Sequence, residues 1–297
     1  MTEYNTPHDA YCHGIVKVLH QQTTAYQQMM IVDGGTYGKA LILDGKWQSS
    51  MVDEFLYHEP LVHPACVLQG GPQRVLILGG GEGATLREVL KWHTVREAVM
   101  VDLDAEVVEA CRRLLPEMHQ GAFDDPRAEV VFADAFQFVG RDERRWDVII
   151  SDLTDPLEDG PSYKLFTKDY FEICKQALAP GGCFVLQAGV AGPADLGIHV
   201  RLARTVATVF RHMLHFVSHV PTWASPMGFV LGTDIEAAMA NPDPAAVDKL
   251  LSEKTTGGLK MFDGRTMLHL MHPPKYLRRA IENEKKIYTL ADPPKDF

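Results

Sequence analysis

Acidic residues recur along the chain just after short apolar runs. Glu82 lies inside Gly79-Gly80-Gly81-Glu82-Gly83, Asp102 opens Asp102-Leu103-Asp104, Asp134 precedes Ala135, and Asp152 and Asp155 bracket Asp152-Leu153-Thr154-Asp155-Pro156. If the apolar runs are parallel strands, these acids line the edge beyond the strand carboxyl ends, where open α/β sheets bind ligands. A glycine loop lets the backbone approach a ligand closely. Asp102 falls at about the spacing at which an acidic residue reaches a ribose hydroxyl pair. Asp134 can accept a hydrogen bond from an adenine amino group, and Ala135 leaves room for a base. Each also has a plainer reading, as a tight turn, a solvated charge or a helix cap.

Gly79, Gly81 and Ala84 also fit the dinucleotide fingerprint, so the loop alone leaves open both an NAD-dependent dehydrogenase and an adenosylmethionine-type enzyme. The acid count favours the second class. Glu82 would repel the phosphates of a dinucleotide, and equally the carboxylate of ordinary S-adenosylmethionine. A cationic nucleoside without phosphate or carboxylate fits better.

The elements that must hold these residues follow from the hydrophobic rhythm. Residues 15–19, 28–32 and 39–43 read as short strands separated by Gly34-Gly35 and Asp44-Gly45 turns, a small antiparallel sheet. A helix through Phe55, Leu56, Pro60 and Leu61 ends at Gly70-Gly71-Pro72, which divides the chain into an amino-terminal β domain with its linker, 1–70, and a catalytic domain with a carboxy-terminal extension, 71–297. Strand–helix alternation then sets in, with apolar runs at 75–78, 98–101, 130–133, 147–150 and 183–186. Amphipathic helices follow the first two, around 86–90 and 107–115, and another spans about 171–178. That alternation implies a doubly wound, largely parallel sheet, Rossmann-like in class. A helix over 199–210, strands at 214–220 and 229–232, and a helix near 276–285 complete the expectation.

The 297 residues, 46% hydrophobic, suffice for one large domain with a smaller appendage, and a formal net charge of -10 disfavours nucleic acid while suiting small cations. Five scattered cysteines without a CxxC pair suggest neither a disulfide framework nor a zinc ribbon. No leader pattern and no apolar stretch near membrane-spanning length is present, so a cytoplasmic protein without membrane contact is expected.

Asp152 to Pro156, followed by Gly160-Pro161-Ser162-Tyr163-Lys164-Leu165-Phe166-Thr167, closely resembles the signature of the polyamine aminopropyltransferases. Leu43-Asp44-Gly45-Lys46-Trp47-Gln48, Asp53-Glu54-Phe55-Leu56-Tyr57-His58-Glu59, the glycine loop and Phe184-Val185-Leu186-Gln187-Ala188-Gly189 match in the same order, over most of residues 11 to 235. Within the family the resemblance is nearest to the thermospermine synthases, on Tyr57-His58-Glu59, the Asp-Leu-Thr-Asp-Pro form, Gly160 to Tyr163 and His219-Val220-Pro221-Thr222-Trp223. Trp223 stands where spermidine synthases tend to have a tyrosine.

The resemblance implies a class I methyltransferase-like core and transfer of an aminopropyl group from decarboxylated S-adenosylmethionine to spermidine, giving thermospermine and 5'-methylthioadenosine. Putrescine, giving spermidine, is the alternative acceptor. It makes Asp152 the base that deprotonates the acceptor amine, with Asp155 and Tyr57 orienting it. Gln27, the loop Gly79, Gly80, Gly81, Glu82 and Gly83, Asp102, Asp134, Ala135 and Pro161 are assigned to the donor, and Gln48, Tyr57, His58, Gln187 and Trp223 to the acceptor side. The donor is a co-substrate, and no cofactor or metal is required. His212, His215 and His219 could share a helical face around a metal, but the strand expected from Leu214 breaks that face. A dimer or tetramer of identical chains is implied. Two more distant alternatives are a small-molecule methyltransferase, which Glu82 argues against, and a silent polyamine or nucleoside sensor, which would not need both Asp152 and Asp155.

Overall fold

The computed structural model describes residues 1–6, 8–155, 162–235 and 241–294. Strands β1 (Thr2–Thr6) and β2 (Asp9–Cys12) form an antiparallel hairpin absent from the sequence expectation. The antiparallel sheet expected next is present as β3 (Lys17–Thr23), β4 (Gln28–Asp33) and β5 (Lys39–Leu43), extended by a fourth strand that was not expected, β6 (Lys46–Ser50), and joined in that order. One boundary differs: the first of these strands starts at Lys17 rather than Ile15 and runs on through the polar His20-Gln21-Gln22. Those residues pair through their backbone with 29–31 of β4, which side-chain polarity does not reveal.

Helix α1 (Phe55–Gln69) ends where Gly70 turns left-handed and donates its N–H to the carbonyls of Cys66 and Val67. It is buried on nearly every side from Tyr57 to Cys66, and Leu61, Val62, Ala65 and Cys66 pack in one core with Val75, Ile77, Val148, Ile150 and Val185. The alternating region follows as β7 (Arg74–Gly79), α2 (Ala84–Leu90), β8 (Glu97–Asp102), α3 (Ala105–Leu114), α4 (Pro116–His119), β9 (Ala128–Phe132), α5 (Ala135–Arg141), β10 (Trp146–Asp152), α6 (Lys168–Ala177), β11 (Leu178–Val190), α7 (Gly197–Ala207), β12 (His212–Val220) and β13 (Ser225–Thr233). Like α4 and α5, the helices α8 (Pro244–Lys254) and α9 (Gly264–Leu270) were not expected from the sequence, and they precede α10 (Lys275–Asn283).

The sheet order is β12-β13-β11-β10-β7-β8-β9. β7, β8, β9, β10 and β11 are mutually parallel, whereas β13 runs antiparallel to both β11 and β12. This is the doubly wound, class I methyltransferase-like arrangement, preceded by a small antiparallel β unit. Strand order reverses between β7 and β10, and such a switch point leaves a crevice at the carboxyl edge. The four-stranded sheet is fastened to the large domain by Met29, Ile31 and Leu41, which pack on Val107, Cys111, Leu115 and Met118.

Candidate active site

The crevice between β7 and β10 exists because of glycine. Gly79 sits at φ +85°, and a Cβ there would lie 2.1 Å from the Asp152 carbonyl oxygen, so only glycine lets the two strand ends meet. Gly80 N–H then donates to that carbonyl at 3.0 Å. Gly83, at φ +81°, turns the chain into α2 where a Cβ would strike the Phe123 ring.

At the end of β10 both Asp152 carboxylate oxygens are held by hydroxyls. Tyr57 donates to Oδ1 at 2.6 Å and Thr85 donates to Oδ2 at 2.6 Å. Burial, with the Glu82 charge nearby, raises the Asp152 carboxyl above its usual range. Burial likewise raises Asp155, whose Oδ1 accepts from Gln187 Nε2 at 2.9 Å. The same amide donates to the Leu153 carbonyl at 2.8 Å and its oxygen accepts from Gly189 N–H, so Gln187 fixes the bend after β10. Burial and the Asp152 charge push the Tyr57 phenol well upward, which keeps it a hydrogen-bond donor.

Across the loop, Asp102 is pushed up to about 6 by burial, with the charges of Asp104, Glu82 and Asp152 adding to it. Its Oδ1 accepts from Asp104 N–H at 2.9 Å. Asp104 caps α3 and reaches the small sheet, accepting from Thr24 Oγ1 at 2.6 Å and from Gln27 Nε2 at 3.1 Å. Gln27 thus stands beside the Asp102 turn. Asp134 is exposed and caps α5 through Gln137 N–H, with Ala135 buried as the first helical residue. Pro161 and the neighbouring residues 156–160 lie outside the described residues.

Around Tyr57, the indole of Trp223 crosses the phenol ring edge-on at 5.1 Å and donates its N–H to the Trp47 carbonyl at 2.7 Å. Gln48 lies on β6 and donates to the Lys46 carbonyl at 3.2 Å. Asp53 joins the same corner, its Oδ2 accepting from the Thr222 backbone and hydroxyl at 2.9 Å each.

His58 differs from the other residues expected on the acceptor side. It is buried, and both ring nitrogens face carboxylates, Nδ1 toward Glu54 and Nε2 toward Glu82, each at 2.9 Å. Glu54 also accepts from Arg87 at 2.8 Å, Arg87 reaches Glu88 at 2.8 Å, and Glu88 binds Lys91 at 2.8 Å and His63 at 2.9 Å. Arg87, Glu88 and Lys91 line a cavity of about 430 Å³, with Glu54 and Glu59 of the α1 region on its wall and Asp152 not among its lining residues. Glu59, one residue on, accepts the backbone N–H groups of Lys260, Met261 and Phe262 and anchors the carboxy-terminal segment to α1. Thr85, Asp104, Asp53, Glu54, Arg87 and Glu88 were not among the expected site residues. The only signal for the last two is a charged pair in a helix whose seven residues are all buried.

Among the described residues no group of three or more His, Cys, Asp or Glu is arranged to hold a metal ion, and His212, His215 and His219 lie on a strand. Among the described residues no helix is long and apolar enough to cross a membrane.

Fold and crevice together define a class I methyltransferase-like protein whose glycine loop opens onto a cluster of carboxylates. The Spermine/spermidine synthase domain matches residues 54–239, and the Spermidine synthase tetramerisation domain matches residues 1–51. The chain is 51% identical to a polyamine aminopropyltransferase of Synechococcus sp. (strain JA-3-3Ab), over 98% of this chain and 96% of that protein. It is 46% identical to one of Aeropyrum pernix, over 97% and 92%. A crystal structure of spermidine synthase in complex with the transition-state analogue AdoDATO superposes with a TM-score of 0.88 at 29% identity, covering 95% of this chain and 94% of that one. Spermidine synthase from Thermotoga maritima gives 0.86 at 29% identity, with the same coverage. The chain belongs to the spermine/spermidine synthase family of polyamine aminopropyltransferases.

Proposed function

We propose that the crevice binds decarboxylated S-adenosylmethionine and spermidine and yields thermospermine and 5'-methylthioadenosine. The observation that carries this reading is the Asp152 carboxylate, raised by burial, held by two hydroxyls, and without an ion pair among the described residues. A carboxylate kept in that state is suited to take a proton from a bound ammonium. The freed amine attacks the carbon beside the sulfonium, a C–N bond forms, the C–S bond breaks, and its electrons leave with the thioether. Asp155 and Tyr57 orient the amine. Asp102 takes the ribose hydroxyls, with Gln27 at its side, Asp134 and Ala135 face the base, and Glu82 faces the donor's ammonium.

Acceptor length is read by the wall around Tyr57. The Trp223 N–H is already used on the Trp47 carbonyl, so the indole offers the channel a π surface and no hydroxyl. That surface packs methylenes and attracts an internal ammonium, which a triamine has and putrescine lacks. The amino-terminal residues also support assembly of identical chains, since Tyr4, Val16, Val18 and Tyr26 are exposed there.

Incubation with decarboxylated S-adenosylmethionine and putrescine, spermidine or spermine, with chromatography that separates spermine from thermospermine, tests the assignment. Spermidine should give the highest kcat/KM and thermospermine the main product. A higher kcat/KM with putrescine, or spermine as the sole product from spermidine, would refute the acceptor assignment.

A further inference from the structure

His58 lies one residue from Tyr57 yet presents neither ring nitrogen to the crevice. Nδ1 is 2.9 Å from Glu54 Oε2 and Nε2 is 2.9 Å from Glu82 Oε1, and the ring is buried. Two carboxylates on opposite edges of one imidazole are both satisfied as acceptors only if both nitrogens carry protons. We propose that His58 is a permanently charged positioning residue that keeps Glu82 ionised and aimed at the donor's ammonium. This rests on the reading of the crevice as an aminopropyl-donor site.

The surroundings agree from every side described. Behind His58, Arg87 on α2 shares the Glu54 carboxylate, and Nδ1 also lies 2.9 Å from the Glu54 backbone carbonyl, a second acceptor for an Nδ1 proton. Beside it on α1 the Tyr57 ring meets the imidazole edge-on at 4.9 Å, and Asp152 on β10 senses its charge. From α2 the line continues through Glu88 to Lys91. With His58 as a cation, Glu82, His58, Glu54, Arg87, Glu88 and Lys91 alternate in sign, and the end facing the crevice is a carboxylate. With a neutral ring, Glu54 and Glu82 would confront each other in a buried space, a costly arrangement. Burial by itself would lower the His58 value, but the hydrogen bonds and charges of Glu54 and Glu82 raise it to about 10. Burial similarly opposes ionised Glu82, and the His58 partner holds that carboxyl below its usual range.

Nuclear magnetic resonance of the imidazole nitrogens in the intact wild-type protein tests the charge directly. His58 should keep both protons from pH 6 to 9. The His58→Gln variant, which carries no charge and whose single amide nitrogen does not span the two carboxylates on opposite edges of the ring, should bind decarboxylated S-adenosylmethionine roughly tenfold or more weakly. Its donor kcat/KM should also decline from a higher pH on the acidic side, as Glu82 takes up a proton more readily. A purely structural role would lower activity without moving the pH profile. A His58 that titrates near 6.5 in a protein that binds the donor would overturn the proposal while leaving the site reading intact. Failure of the wild type to bind the donor at all would sink the site reading, and this role of His58 with it.

Discussion

On the two sides of the glycine loop, carboxyl groups are handled in opposite ways. Facing the crevice, Asp102, Asp152 and Asp155 are raised by burial, and no Lys, Arg or His among the described residues forms an ion pair with them. Behind the loop, Glu54 and Glu88 are also buried, but His58, Arg87, His63 and Lys91 outweigh the burial and hold them below their usual range, while Glu82 in the loop itself is held down by His58 from behind and faces the crevice. The same residue type is therefore matched by the protein's own cations in one place and left for an incoming cation in the other. In the proposed function a nucleoside sulfonium and a polyamine supply those charges, and a sheet-edge crevice can hold both because the sheet, rather than the acids, provides the core.

The largest difference between the two sides should appear on substitution. Asp152→Asn should lower turnover by about 10²- to 10⁴-fold, the usual contribution of a general base, while methylthioadenosine binding measured by calorimetry stays near normal. Near-normal turnover would remove Asp152 from the base's role. Its folding stability should change little, since no ion pair is broken. Arg87→Met should do the reverse, costing roughly 3–5 kcal/mol in urea unfolding because it leaves Glu54 and Glu88 buried with less compensation. A loss below about 1 kcal/mol would show that the chain behind the loop relaxes or hydrates.

Proton linkage separates the sides more finely. Asp102 holds its proton more tightly folded than unfolded, so its contribution to stability declines as pH rises from 3.8 to about 6. Asp102→Asn should flatten the pH dependence of urea stability in that window, and an unchanged slope would contradict the raised value. His58, at about 10 against 6.5 unfolded, contributes stability that is full below 6.5 and lost as pH rises through about 10. The smallest effect concerns assembly. Val16→Asp and Val18→Asp together should shift the mass measured by light scattering toward the monomer with little change in secondary structure, and an unchanged mass would place the interface elsewhere.

The crevice acids were legible because each follows an apolar run, and the parallel reading of those runs places every such residue on one edge. The reading fails where the signal is not periodic. Thr2–Thr6 and Asp9–Cys12 are short and polar, and they pair through their backbone. Helices α8 and α9 sit in a stretch of mixed composition, and part of what holds it is the Glu59 carboxylate some 200 residues away. Pairing was the least legible feature. Tyr57, His58 and Glu59 are consecutive, yet they engage Asp152, the Glu54/Glu82 pair and the backbone at 260–262, partners that only the folded chain brings to one helix. His58, which the resemblance groups with the acceptor residues, turns its ring nitrogens to Glu54 and Glu82.

The negative charge that the crevice presents, from Asp152 and from Glu82 at the meeting of the two sides, is tested most directly by calorimetry with two donors that differ by one carboxylate. Decarboxylated S-adenosylmethionine should bind wild-type protein at least about tenfold more tightly than S-adenosylmethionine, because the extra carboxylate meets Glu82 and Asp152 in a low-dielectric crevice. Glu82→Gln should narrow that gap. Equal affinity for both donors in the wild type would contradict the account.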